Sequence, residues 1–233
     1  MRQMQLVYFD LVVVDSDIGL CTVMREQWRA LEDAYEAGLA RAIGVANYCE
    51  ASFECLKSTW RHVPHVNQIQ YHVGMTKDPD GIKSYCESLG IQVQSFSVLG
   101  GAEVMEEPGG GVAPLGVSPP KPEVSLTKNS KLRAIGGRLG GWSSAAVAIR
   151  WAFQNGFAVI TKTTSRAHLK ESVQIFGWSL SADQMAELDA PAALGTRNDF
   201  YSLSCNCFSS SICLGFDRDG KPGAFQSESD CLP

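Results

Sequence analysis

The 233-residue chain has no apolar run approaching the roughly 18 residues of a membrane span. It has no block of basic residues, and its formal net charge is −5. These absences argue against a membrane protein and against a dedicated nucleic-acid binder. The opening stretch Met1-Arg-Gln-Met-Gln-Leu-Val-Tyr-Phe-Asp10 lacks the shape of a secretory leader and passes at once into a strand-like run. A cytoplasmic protein is expected. No G-x-G-x-x-G follows that first run, so the Rossmann phosphate fingerprint is missing. Histidine is scarce, with four in the chain and none in its last part. Cys205, Cys207, Cys213 and Cys231 crowd that last part, but their C-x-C-x5-C-x17-C spacing matches no paired-knuckle pattern. No metal site is expected, and residues 201–233 read as a poorly ordered Cys- and Ser-rich tail. Cys21, Cys49, Cys55 and Cys86 read as reduced, structural thiols.

Hydrophobic residues make up 45% of the chain, enough for one sizeable core. Apolar runs alternate with helical patterns. Strands are expected at 6–14, 42–46, 65–70, 91–97 and 157–161. Helices are expected at 24–37, through Phe53 and Leu56, around 82–89, and at 143–154, 169–176 and 181–188. This alternation implies α/β architecture with parallel pairing and right-handed crossovers. An open doubly wound sheet and part of a (β/α)8 barrel both satisfy it. Residues 100–130, with Pro108-Gly-Gly-Gly111 and Ser118-Pro-Pro-Lys-Pro122, read as a long flexible loop; the glycines lack the lysine and helix of a P-loop.

Polar residues gather where strands give way to loops: Asp15, Asn47, Gln68, Ser97, Lys162 and Thr163. The stretch "AVITKTTSRAHLKES" (158–172) places Lys162 and hydroxyls just before a helix with Ser165 as its N-cap. An anion could be held there by the cation and the helix N-terminus. An ordinary strand-to-helix turn would look the same.

Four segments resemble one family. "WRALEDAYEAGLARAIGVANY" (28–48), "HVNQIQYH" (65–72), "YCESLGIQVQSFSVLG" (85–100) and "AVAIRWAFQNGFAVITKTTSRAHLKESVQIFGWSLSADQMAELDA" (146–190) are similar, in order and spacing, to the aldo-keto reductases, NADP-dependent (β/α)8 barrels. The resemblance implies a partial barrel of about five β/α units, strands four to eight of the family, within residues 1–200. It implies NADP(H) as cofactor and a small carbonyl compound, reduced to an alcohol, as substrate. Lys162 and Thr163 would hold the 2′-phosphate, with Thr164 beside them. Asn47 and Gln68 would bind the nicotinamide carboxamide, and Phe96 would stack on its ring where the family usually has Tyr. Ser97 and Leu99 would line the pyrophosphate loop, and His168, Glu171 and Ser172 the adenosine end.

Several positions depart from the pattern. Ala46 replaces a serine, Val98 a proline, His168 an arginine and Ser172 an asparagine. A largely neutral imidazole is a weaker anion partner than a guanidinium, so reduced cofactor affinity is expected. The catalytic His of the family ends its fourth strand; here Asp10-Leu-Val-Val-Val-Asp15 puts Asp15 in that place. A carboxylate would repel charge developing on a carbonyl oxygen. No segment matches the catalytic Asp, Tyr and Lys, and neither Tyr8 nor Tyr71 fits the Tyr position, so no catalytic residue is assigned. The chain then reads as part of a longer reductase, as a divergent nucleotide binder of low activity, or as a non-enzymatic scaffold protein.

Overall fold

A computed structural model describes residues 4–15, 20–100, 126–190, 213–216 and 222–225. Two compact units are present. The first falls within Met1–Ile69, Gly81–Val93 and Tyr201–Pro233, and the second within Gln70–Asp80 and Gln94–Phe200.

Strands β1 (Val12–Asp15), β2 (Ile43–Ala46), β3 (Val66–Gln70), β4 (Gln92–Phe96) and β5 (Ala158–Val159) form one sheet in the order β1-β2-β3-β4-β5. The β1–β2, β2–β3 and β4–β5 pairs are parallel. Sheet order follows chain order without a reversal. A doubly wound sheet needs a reversal point, so the winding is of the barrel type.

In the first unit, α1 (Cys21–Glu36) follows β1, α2 (Glu50–Lys57) follows β2, and α3 (Ile82–Ser88) precedes β4. Met24 and Trp28 recur one helical turn apart on α1 and are buried. Glu32 lies on the same face and is also buried, because its carboxylate accepts the backbone N–H groups of Arg61 and His62 and pairs with the Arg61 guanidinium. Gly44 sits where β2 meets β3: a Cβ there would lie 2.7 Å from the Val66 carbonyl oxygen. Cys21 and Cys55 differ from the sequence expectation. They form a disulfide across α1 and α2 with Cα atoms 5.6 Å apart. Cys49 is also disulfide-bonded, and Cys86 is free and buried. The reduced reading failed because which cysteines meet is decided by how the helices pack, and chain position does not reveal that.

In the second unit, α4 (Ser130–Arg138), α5 (Ser144–Gln154), α6 (Arg166–Gln174) and α7 (Ala182–Asp189) accompany the end of β4 and β5. The sequence reading had no α4. Asn129 caps it, accepting from the N–H groups of Lys131 and Leu132. Gly136 lets it approach the loop before α5, where a Cβ would lie 2.0 Å from the Trp142 carbonyl oxygen. Ser143 and Ser181 cap α5 and α7. Tyr71 stacks on Trp151 and on Phe157, with ring centroids 4.7 and 3.6 Å away.

The expected loop 100–130 lies, over 101–125, outside the described residues; Leu126–Lys128 is a short 3-10 turn leading into α4. The described part of the tail is a two-stranded antiparallel sheet, β6 (Cys213–Phe216) with β7 (Pro222–Phe225). The other tail residues, Cys205, Cys207 and Cys231 among them, lie outside the described residues. Among the described residues no helix is long and apolar enough to cross a membrane, and no His/Cys/Asp/Glu group could hold a metal ion.

Candidate functional site

In the first unit the candidate residues stand at or near the carboxyl ends of three parallel strands. Asp15 is the last residue of β1 and pairs in register with Ala46 at the end of β2; Ala46 pairs in turn with Gln68 of β3. In parallel α/β folds this is the edge where ligands bind. Asn47 follows β2 with φ +58°, a left-handed conformation that asparagine tolerates better than most residues. Its N–H donates to the Gln68 carbonyl at 2.9 Å, and its Nδ2 lies 3.5 Å from Asp15 Oδ1. Asn47 is 5% exposed, and its Oδ1 is buried without a partner among the described residues. Asp15 is exposed.

Sequence reasoning passed over Asn67, which supports this turn. Its side chain is fully buried and clamps the next backbone unit: Nδ2 donates to the Tyr48 carbonyl at 2.8 Å, and Oδ1 accepts the Tyr48 N–H at 3.4 Å. The available signal was an asparagine inside a strand, where it is disfavoured unless it has work to do.

In the second unit Phe96 ends β4, half-buried, its carbonyl accepting the Tyr71 N–H at 3.1 Å. Ser97 then adopts φ +52°, and its carbonyl accepts the Gly100 N–H at 2.9 Å, closing a tight turn around Val98 and Leu99. Two strands therefore end alike, each followed by a polar residue in the left-handed region. Such conformations cost energy and are held where a chain direction matters.

Lys162, Thr163 and Thr164 lie exposed in the turn between β5 and α6. Thr163 Oγ1 accepts the Ser165 N–H at 3.0 Å, and Ser165 Oγ accepts the His168 N–H at 3.4 Å, which makes Ser165 the N-cap expected. Lys162 has no carboxylate partner among the described residues. A groove of about 490 Å³ runs along α6, lined by Gly140, Gly141, Trp142, His168, Lys170 and Glu171 among others. Glu171 is half-buried and accepts from the Ser143 N–H and hydroxyl, while the Ser172 hydroxyl turns back to the His168 carbonyl at 2.9 Å.

Of the two tyrosines considered at the sequence level, Tyr71 has its hydroxyl engaged within the protein. The Tyr71 hydroxyl donates to the Thr76 carbonyl at 2.7 Å, and burial pushes its pKa far above the ordinary tyrosine value. Tyr8 carries the Arg41 guanidinium on its ring face at 3.8 Å.

The chain is similar to known proteins over most of its length. The model of the Aldo/keto reductase family matches residues 1–193. Over 166 residues the chain is 28% identical to the uncharacterized oxidoreductase YtbE of Bacillus subtilis, covering 71% of this chain and 50% of that protein. Over 177 residues it is 28% identical to NADPH-dependent codeinone reductase 1-5 of Papaver somniferum, covering 76% and 50%. A solved structure of a mutant Gox0644 in complex with NADPH aligns with a TM-score of 0.63 at 25% identity, covering 81% of this chain and 60% of that one. The chain spans about half the length of the curated relatives it matches.

Proposed function

Because the chain belongs to the aldo/keto reductase family, we propose that it forms the NADP(H)-holding wall of a carbonyl reductase. The observation that carries this reading is Lys162. It is an exposed cation without a carboxylate partner among the described residues, next to hydroxyls and the capped start of α6. That combination suits a phosphate ester. The orphaned Oδ1 of Asn47 fits the cofactor in a second way, since a carboxamide offers the N–H that this oxygen lacks.

In this reading Lys162, Thr163 and Thr164 hold the 2′-phosphate. Asn47 and Gln68 orient the nicotinamide carboxamide, and the face of Phe96 supports the ring. Ser97 and Leu99 border the pyrophosphate, and His168, Glu171 and Ser172 border the adenosine. Bound NADPH supplies a hydride for reduction of an aldehyde or ketone. The chain's own residues bind and orient; none of those assigned here donates the proton that a carbonyl oxygen needs. Asp15 in the family's His position favours a second reading, nucleotide binding without turnover by these residues alone. In a longer polypeptide supplying the Asp, Tyr and Lys, the same wall would serve an active reductase.

The test is fluorescence titration with NADPH and NADH. Lys162→Ala should weaken NADPH by about 1–3 kcal/mol, the usual worth of a hydrogen bond to a charged group, and leave NADH nearly unchanged. Equal losses for the two cofactors would remove Lys162 from the phosphate site.

A further inference from the structure

The polarity of the Asp15–Asn47 pair carries information beyond the cofactor reading. Asp15 lies beside Ala46 in the β1–β2 register, and its Oδ1 is 3.5 Å from Asn47 Nδ2. A carboxylate accepts hydrogen bonds and cannot donate them, so the Asn47 amide must turn its NH2 toward Asp15. The backbone of Asn47 is fixed at φ +58° by its bond to the Gln68 carbonyl. Rotation of the amide is the freedom left, and the contact with Asp15 favours one sense of it. Asn47 Oδ1 then faces away from β1, buried and unpaired among the described residues. A buried acceptor without a donor is unfavourable, and bulk water does not reach this one. An N–H carried by a bound ligand would satisfy it.

We infer that Asp15 is a positioning residue: it locks the Asn47 amide with its oxygen as the free acceptor, so that this wall selects ligands presenting an N–H, such as a primary carboxamide, over those presenting a carbonyl oxygen alone. The inference rests on the cofactor reading above and adds the residue that sets the direction of the amide.

The experiment compares NADP⁺ with its 3-acetylpyridine analogue, in which an acetyl group without an N–H replaces the carboxamide. The 233-residue protein should bind NADP⁺ about tenfold more tightly than the analogue, the scale of one hydrogen bond to a buried partner. Asp15→Asn keeps an acceptor oxygen and should retain most of that ratio. Asp15→Lys presents donors alone, should turn the amide round, and should bring the ratio to one or below. Asp15 is exposed, so both variants are expected to fold. The two nucleotides carry the same phosphates, so the new lysine charge cancels in the ratio.

A ratio unchanged in Asp15→Lys overturns the inference. A second readout needs no nucleotide: the side-chain amide resonances of Asn47 in the NMR spectrum should move on Asp15→Lys and stay near their wild-type positions in Asp15→Asn. Resonances that ignore Asp15→Lys also overturn it. Failure of the wild type to bind either nucleotide overturns the cofactor reading and the ligand class with it. The amide resonances distinguish that failure from a failure of the positioning itself.

Discussion

Glu171 on α6 secures the start of α5 through Ser143: one carboxylate oxygen accepts the Ser143 N–H at 3.0 Å and the other accepts its hydroxyl at 2.7 Å. Ser143 Oγ in turn accepts the Ala146 N–H at 3.1 Å, the bond that caps α5. The cap is thereby tied to a second helix by a charged acceptor, the stronger kind of hydrogen bond.

Glu171→Ala should therefore lower stability by about 1–3 kcal/mol, because it leaves two half-buried donors without their partner. Glu171→Gln, which keeps one acceptor oxygen, should cost less. Urea unfolding measures both. An alanine variant as stable as the wild type would mean that this contact contributes nothing in solution.

The Cys21–Cys55 disulfide closes a loop with a sequence separation of 34. Chain-entropy arguments assign such a crosslink about 3–4 kcal/mol. Cys21→Ser should lower the unfolding free energy by that order, measured under non-reducing conditions. A loss under roughly 1 kcal/mol, below the typical range for such crosslinks, would contradict a stabilising crosslink.

Burial holds the His72 imidazole below its ordinary pKa, with its Nδ1–H donating to the Val73 carbonyl at 3.1 Å. As pH falls through about 6.5 the unfolded chain takes up a proton that the folded chain refuses. The contribution of His72 to stability is therefore complete above that pH, and it declines as pH drops below it toward the folded value. An NMR titration should find the ring still neutral below pH 6.5. A midpoint at or above the ordinary value would refute the burial argument.

Much of this fold is written locally, and some of it is not. The alternation of apolar runs with amphipathic stretches located five strands and six helices to within a few residues at most ends. The first strand is shorter than expected because Leu6 and Val7 are exposed and Phe9 makes a single bridge to Ala40; regular pairing starts at Val12. β5 covers two residues of the expected five. Helix α4 was missed because Gly136 and Gly137 lower its helical propensity, and the close approach to the Trp142 carbonyl that requires Gly136 cannot be read from residue types alone. At the site, the residue types at strand ends were legible. The Asp15–Asn47 contact, the Asn67 clamp and the Glu171–Ser143 bond were not, since each joins residues separated by 19 to 32 positions.

Amide hydrogen exchange with and without saturating NADPH tests the central claim most directly, because it asks where a cofactor touches the chain. The account predicts slowed exchange at the amides around Asn47, Gln68, Ser97–Leu99 and Thr163–His168, with helices α1 and α2 unaffected. No protection at these turns, or protection confined to α1 and α2, would contradict the assignment of an NADP(H)-holding wall.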